Sequence, residues 1–597
     1  MGRSRQADSP VSLDAVAIGP WGHDATPTAP RTLRATLVVL ALGAIVWYAP
    51  LIGWGLPYAT APQRTKTFAT DEILPLEALA EMRSTFVSAA PDRNFGYPWW
   101  HYFVVAAAQA PYVGALLISG DLSNPRPDYP FGFSDPVQAL RVLTVIGRLV
   151  SVLMGAGIVI ASFFFARAFW GDLAGSLAAC LTLVSYPMTY YSRTGNLDVP
   201  AFFWSAIALA IFARVLTAGV TTRRIAWFAA FAAIGVATKD QSAALFVPMC
   251  LVLALPRVAR QSDEPYRLRP LLIGVGVGLG AYVIATGMIV DPQRHVSHVW
   301  SLLFAPGRLT RGAVYFPPAP WTLAATGTLF WAFVSGVASM MALPVFVAAA
   351  AGFAIAVRRN RWHLIWLLPA VTIFVAFIRL PGNMVLRYVL PLTLFVDAFA
   401  AYALISCRRT RWRWAFAPGL AVLIASRGLA SLDLSYAQWH DTRYPAAAWL
   451  REHYRPGDAL EYFGVTETLP PLDSTVTSRR VMGREKWVGE LSHGPAVLDY
   501  LRREGPAFLV VIPDWTSRPG MEHSADCPPE VYAALVEGSA GYRLAAYFAP
   551  DSLWPRPVAR PRLDNPSVDP PVRIFVRSNT GGLDDRGASG RPGDGRE

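Results

Sequence analysis

From about residue 33 to about residue 430 the chain alternates long apolar runs with short polar links, and after that it takes on the shorter rhythm of a soluble domain. A helix needs ~20 mostly apolar residues to cross a hydrocarbon core. By that criterion spans fall at 35–54, 149–167, 173–190, 199–216, 225–239, 241–256, 270–290, 328–357, 363–379, 388–406 and 413–430, about eleven in all. The segment 99–119 is also apolar enough. Counting it, however, moves the later arginine-rich links to the opposite side, so it is read as a re-entrant or juxtamembrane helix inside a first outer loop, 55–147, with Pro111 favouring a break.

Beyond residue 430 the pattern predicts helices at 444–454 and 496–503 and strands at 459–463, 507–512, 542–548 and 572–576, a small α/β domain over 431–578. Segments 1–32 and 579–597 are polar and rich in Pro, Gly and Asp, and read as disordered tails.

Composition sharpens this picture. Of the 597 residues, 53% are hydrophobic and only 16% charged, well below the roughly 25% charged residues of soluble domains. The net charge of +12 might suggest a nucleic-acid partner, but the arginines cluster in links between apolar runs, as at 358–361 and 408–413. That is the positive-inside pattern, and no basic stripe interleaved with aromatics argues for nucleic acid. It puts the N-terminal tail in the cytoplasm, makes the chain a multi-pass protein of the cell membrane, and leaves 431–578 extracytoplasmic. The four cysteines, at 180, 250, 407 and 527, form neither a disulfide framework nor a zinc set.

On this layout 55–147, 190–198, 291–325 and 378–387 share the outer face, and the candidate chemistry gathers there. Asp71 and Glu72 stand before Leu74-Pro75, where a helix is expected to start. They either complement a helix N-terminus or act as a general base on a hydroxyl from a partly desolvated cleft. Asp198 precedes an apolar run, with Arg193 five residues upstream, and its bland reading is interfacial solvation. Lys239 interrupts two apolar runs, as a snorkelling hairpin tip or as a cation for a phosphate or for Asp198. Arg148, Arg294, Arg308, Arg311 and Arg387 are cations on the face the positive-inside rule keeps poor in them, which suits a lipid phosphate as well as anionic membrane headgroups. His295 and His298 are three residues apart, too few for a metal site by themselves.

Several short motifs occur in order: the acidic pair in the first outer loop, Phe-Gly-Tyr-Pro-Trp-Trp-His-Tyr-Phe at 95–103, Arg-Leu-Val-Ser-Val-Leu at 148–153, Tyr-Ser-Arg-Thr-Gly-Asn-Leu-Asp-Val-Pro at 191–200 and Ala-Thr-Lys-Asp at 237–240. Together they resemble family 39 glycosyltransferases of the GT-C class, which include protein O-mannosyltransferases and lipid A aminoarabinose transferases. The resemblance is good over about 35–260 and weak to about 430. It implies a GT-C fold of about 11–13 transmembrane helices, and an inverting transfer from a polyprenyl-phosphate sugar to a hydroxyl of a glycan, lipid or protein. Asp71 then matches the family's catalytic carboxylate, with Glu72 beside it, and Asp198 matches the acidic residue of the second outer loop. Tyr97 and Pro98 match a Tyr-Pro or Pro-Pro element. Arg193, Lys239, Tyr97 and His101 join Asp198 as substrate-binding candidates, and Arg148, Arg308 and Arg387 are the phosphate-binding candidates. Trp99-Trp100 departs from the smaller residues usual there, and the acid that helps bind metal in the aminoarabinose transferases is not evident, so a divalent metal is left open and no ligand is assigned.

Two other classes compete. A flippase of lipid-linked sugars would line a midplane path with charges, whereas these spans read as nearly free of them. A scaffold with a sensory outer domain leaves the clustered acids unexplained.

Overall fold

The structure, a computed structural model, describes residues 30–58, 65–88, 96–255, 268–304, 318–473, 475–483, 494–517, 521–554 and 568–578. Both tails therefore lie outside the described residues, apart from the start of the first helix.

Among the described residues up to 255 the α-helices are α1 Pro30–Tyr48, α2 Glu77–Phe86, α3 Trp100–Ser119, α4 Pro136–Trp170, α5 Asp172–Leu183, α6 Tyr186–Ser192, α7 Asp198–Ala218, α8 Thr222–Thr238 and α9 Ala243–Leu253. The starts follow local chemistry. Asp135 accepts a hydrogen bond from the Gln138 backbone N–H with Pro136 at the first position of α4, and Thr221 caps α8 through the Arg224 N–H. Helices Arg269–Ala285, Leu323–Met340, Leu343–Arg359, Thr393–Arg408 and Phe416–Trp439 complete the apolar body. Close approach between them relies on small residues. A Cβ at Gly352 would fall 1.9 Å from the Phe399 carbonyl oxygen, so glycine lets Leu343–Arg359 lie against Thr393–Arg408.

The protein is an integral membrane protein with a mostly helical body. Among the described residues eight helices are long and apolar enough to cross a membrane, or nine if α5 and α6, bent by 62°, form one span. This is fewer than the eleven expected. The run at 328–357 is not one span, because Ala342 adopts φ 63° and Pro344 follows, which ends one helix at Met340 and starts another at Leu343. Helices α9 and Arg269–Ala285 are apolar but shorter than the others.

Segment 99–119 also differs from expectation. Pro111 does not break α3, which is continuous and long enough to span. Its midpoint is nonetheless tied sideways: Gln109 Nε2 donates to the carbonyls of Pro75 and Leu143, both at 3.1 Å. Leu143 belongs to the part of α4 that runs on past Arg148, whose guanidinium meets the chain leaving α1 at the Ile52 and Trp54 carbonyls. At 35 residues, α4 is about 50 Å long, more than a ~30 Å hydrocarbon core requires. Helix α3 packs on that surplus.

One ion pair sits deep among the helices, where the sequence pattern suggested almost no charge. Arg427 meets Asp397 at 2.7 Å with both side chains buried. Arg427 also donates to the Met341 and Leu181 carbonyls, and Thr182 Oγ1 donates to Asp397 at 2.8 Å. The pair thereby clamps four helical segments together.

The C-terminal domain is a five-stranded sheet, β1 Leu460–Phe463, β2 Ser478–Arg480, β3 Phe508–Val511, β4 Tyr542–Phe548 and β5 Val572–Arg577, in the order β2-β1-β3-β5-β4. β2, β1 and β3 are parallel, and β5 and β4 continue antiparallel. Alternation along β3 feeds two cores: Leu509 and Val511 face helices Gly494–Glu504 and Pro529–Glu537, while Phe508 and Val510 face helix Arg443–His453. The expected α/β domain is present. The three-residue β2 and helix Pro529–Glu537 were not anticipated; Ser-Arg-Arg carries no apolar alternation. The domain is fastened at Asp441, which pairs with Arg443 at 2.7 Å and accepts from Trp54 Nε1 and the Asp569 N–H.

Removing one partner of a buried ion pair leaves an uncompensated charge, typically a loss of about 3–5 kcal/mol, while replacing both by apolar residues is close to neutral. Asp397→Leu is therefore expected to lower the thermal unfolding midpoint of the detergent-purified protein sharply, and Asp397→Leu with Arg427→Met to restore most of it. A double variant no more stable than the single one would contradict this.

Candidate active site

The site is built on an unusual contact between the first loop and the turn after α6. Residues 70–73 run antiparallel to 195–196: Ile73 N–H donates to the Gly195 carbonyl at 3.3 Å, Asn196 Nδ2 to the Thr70 carbonyl at 2.8 Å, and Glu72 and Asn196 form an isolated bridge. Gly195 is required there. A Cβ on it would lie 2.8 Å from Glu72 Oε1 and 2.9 Å from its Cγ.

Glu72 holds this contact together. Arg148 grips it bidentately, Nε to Oε1 and Nη2 to Oε2, both at 2.7 Å, and the Gly195 N–H and the Thr67 hydroxyl also donate to it. Arg148 Nη1 meanwhile donates to the Ile52 and Trp54 carbonyls at 2.7 and 2.6 Å. Both side chains are buried. A carboxylate so saturated has no face for an acceptor hydroxyl, and its arginine none for a phosphate. The sequence points to Glu72 as catalytic beside Asp71 and to Arg148 as a phosphate ligand; here the two side chains are bound to each other and to the backbone of the loop instead.

Asp71, the next residue, is turned the other way. Its φ is 59°, a left-handed conformation that Asp tolerates better than most residues but that still stores strain. The side chain is 42% exposed and pairs with Arg387, which lines a cleft. The acid at the start of α2 is instead Glu77, which accepts from the Leu74 N–H at 3.1 Å and from the Tyr102 hydroxyl at 3.0 Å. Asp71 is thus not a helix-start residue.

The cleft brings four distant stretches together. Asp198 opens α7 and accepts from Lys239 Nζ at 2.7 Å, both largely buried. Lys239 ends α8 in extended geometry, so its side chain leaves the helix axis and turns to the N-terminus of α7. Arg387 and Tyr388 line the same cavity with Asp198, Lys239 and Gln241. The Tyr388 ring lies 5.8 Å from both Lys239 Nζ and the Arg387 guanidinium. Tyr388 was not singled out from the sequence, although its place directly after Arg387 was the available signal. Tyr97 lies within electrostatic reach of Arg387, Asp71 and Asp198; burial, with those two carboxylates, holds its phenol protonated well above the usual range.

Electrostatics set the resting state of Asp71. Partial burial pushes its carboxyl up, but the charge and hydrogen bond of Arg387, aided by Lys239 and Lys66, win and hold it below the ordinary value. The resting carboxylate is ionised and occupied.

The remaining expected residues fall elsewhere. Arg193 donates to the Tyr48 and Trp47 carbonyls, Ser435 and Gln438, so it ties α1 to helix Phe416–Trp439. His101 is fully buried in α3 and does not line the cleft. Arg294 pairs with Glu81 and donates to the Tyr97 carbonyl at 3.0 Å, which steadies the Tyr97 segment. Arg308 and Arg311 lie outside the described residues. His298 meets Asp240 at 3.2 Å, and among the described residues no group of three or more His, Cys, Asp or Glu side chains is arranged to hold a metal ion.

The close contact at Gly195 makes a direct test of the loop bridge. Gly195→Ala is expected to cost on the order of 1–3 kcal/mol by overpacking, read as a lower unfolding midpoint in detergent. An unchanged midpoint would mean that Glu72 is not held as described.

Residues 142–283 match the family model described as dolichyl-phosphate-mannose-protein mannosyltransferase. No curated protein matches the chain. Among solved structures the chain is similar to ArnT from Cupriavidus metallidurans bound to undecaprenyl phosphate, with 15% identity over 92% of this chain and 98% of that one and a TM-score of 0.48. It is also similar to the oligosaccharyltransferase of Archaeoglobus fulgidus in the apo form, with 12% identity over 80% of this chain and 69% of that one and a TM-score of 0.43. These likenesses are distant, and the functional reading rests on the site and on the family-model match. That match spans Arg148, Asp198 and Lys239, and so places the resemblance to dolichyl-phosphate-mannose-protein mannosyltransferases on the helices that build the cleft.

Proposed function

We propose that the chain is a membrane glycosyltransferase that moves a sugar from a polyprenyl-phosphate carrier to a hydroxyl acceptor, with Asp71 as general base. The observation that carries this reading is the meeting of two acid–base pairs, Asp71 with Arg387 and Asp198 with Lys239, in one cleft at the ends of apolar helices. A carrier anchored in the bilayer delivers its phosphate and sugar at that depth, so no nucleotide-binding loop is needed. The match of residues 142–283 to the mannosyltransferase model supports the same class.

In this reading the carrier phosphate competes with Asp71 for Arg387. Lys239 and Arg387 stabilise the leaving phosphate, and Tyr97 and Tyr388 donate hydrogen bonds or wall the sugar. Once Arg387 turns to the phosphate, partial burial dominates at Asp71 and its proton affinity rises, so the base strengthens as the donor arrives. The acceptor O–H proton passes to Asp71 while its oxygen forms a bond to the anomeric carbon. The bond from that carbon to the phosphate oxygen breaks on the opposite side, the electron pair leaves with the phosphate, and the configuration inverts. The face is extracytoplasmic by the positive-inside pattern, with the C-terminal domain beside it.

With radiolabelled polyprenyl-phosphate sugar and membrane extract as the acceptor source, Asp71→Asn should lower kcat about 100-fold or more without weakening donor binding, because it frees Arg387. Equal transfer by wild type and variant would remove Asp71 from the mechanism.

The pH profile carries a second expectation. Because the resting Asp71 pKa is depressed, the carboxylate survives as pH falls, and the acid limb of kcat/KM should lie below the ordinary Asp value of about 4. The limb of kcat, set in the donor complex, should lie higher. In Arg387→Gln the kcat/KM limb should move up; an unmoved limb would contradict the pairing.

A further inference from the structure

A second cavity, of about 1210 Å³, opens between α4, α7 and α8 at the end away from the cleft. Its walls are apolar, with Ile160, Phe164 and Ile207 among them, and it ends in Arg167, Arg214, Arg223 and Arg224. Asp172 is the one carboxylate among the lining residues, and it is paired with Arg167. Arg224 reaches the Ala218 and Gly219 carbonyls, which fixes its guanidinium at the rim. Arg214 feels the positive charge of both Arg224 and Arg167, so the rim gathers four cations around the single lining carboxylate, Asp172. Trp227, half exposed, stands beside them as interfacial tryptophans do.

The position excludes the donor phosphate site. Arg214 follows Asp198 on the same helix from 198 to 214, about 24 Å along the axis. Between them the Phe203 ring lies on α4 at Gly157, where a Cβ would come within 2.2 Å of it, and is the lining residue of α7 nearest in sequence to Asp198. The arginine end of the groove therefore lies toward the leaflet opposite the cleft.

We propose that this groove binds an anionic phospholipid, its acyl chains along α4 and α7 and its phosphate among Arg167, Arg214, Arg223 and Arg224. Four guanidinium groups facing one carboxylate at the mouth of a long apolar groove select a molecule with a negative head and apolar tails. Basic pockets between transmembrane helices on the cytoplasmic side hold anionic headgroups by the same combination. Arg214 and Arg223, the more exposed pair, are the headgroup contacts that selectivity rests on.

The test is native mass spectrometry of the full-length protein, released from nanodiscs that hold equal amounts of phosphatidylglycerol and phosphatidylcholine. Wild type should retain phosphatidylglycerol preferentially, and Arg214→Gln with Arg223→Gln should lose about thirtyfold in that preference, at roughly 1 kcal/mol per arginine. Arg214→Lys with Arg223→Lys should keep most of it. Ile211→Trp, which fills the groove and leaves the charges, should reduce retention of both lipids, and inorganic phosphate should not displace the bound lipid. Equal retention of the two lipids by wild type, an unaltered preference in the glutamine variant, or retention of added polyprenyl phosphate in place of phospholipid would overturn the proposal. The first two results would leave the arginines with a purely topogenic role. Transfer activity is measured separately, so failure here is distinguishable from failure of the catalytic reading.

Discussion

The buried pair of Arg148 and Glu72 is the constraint on which the site depends. It fixes three pieces of chain that are far apart in sequence: the exit of α1, the strand-like residues 70–73 and the turn at Gly195. Both charges are removed from water, which is tolerable because they grip each other bidentately and are further hydrogen-bonded, Arg148 to the Ile52 and Trp54 carbonyls and Glu72 by the Gly195 N–H and the Thr67 hydroxyl. The consequence reaches the neighbouring residue. With Glu72 drawn inward, Asp71 is forced into a left-handed conformation that delivers its carboxylate to the cleft opposite Arg387. Two adjacent acids thus serve different ends, one as an anchor and one as the proposed base.

Much of the body was legible in the sequence because apolar runs and arginine-rich links obey the bilayer directly. The α/β character of the last domain was equally legible from the short apolar, β-branched-rich runs at 507–512 and 572–576. What failed to show was geometry that depends on distant partners. Nothing local marks Glu72 as saturated and Asp71 as open, since the difference arises from Arg148 and Gly195, the latter more than a hundred residues away. Arg148 reads as a free cation on a face poor in them and Arg193 as a substrate-binding neighbour of Asp198, yet both are held by backbone carbonyls and buried acceptors. Arg387 and Lys239 look the same in sequence, and they reach the cleft because a helix end points them there. The break at Ala342 was hidden for a related reason: hydropathy averages across a single left-handed residue.

The body is divided along its length. At one end of α7, Asp198 meets Lys239 in a cavity of mixed charge; at the other, arginines crowd a groove that is otherwise apolar. Between these ends, Asp397 and Arg427 are sealed from both by hydrogen bonds to Thr182, Leu181 and Met341. A charge pair so enclosed offers no path for a passing headgroup, which sets this architecture apart from a transporter that lines its midplane with accessible ionisable groups.

In the proposed mechanism Arg387 restrains Asp71 until a carrier phosphate draws it away. Difference infrared spectroscopy can follow the Asp71 carboxyl through a pH titration, with Asp71→Asn subtracted to isolate its signal, in the absence and presence of polyprenyl phosphate. The account predicts a pKa below the ordinary Asp value in the free protein and a clear rise when the phosphate is bound. A value that does not move on binding would contradict it.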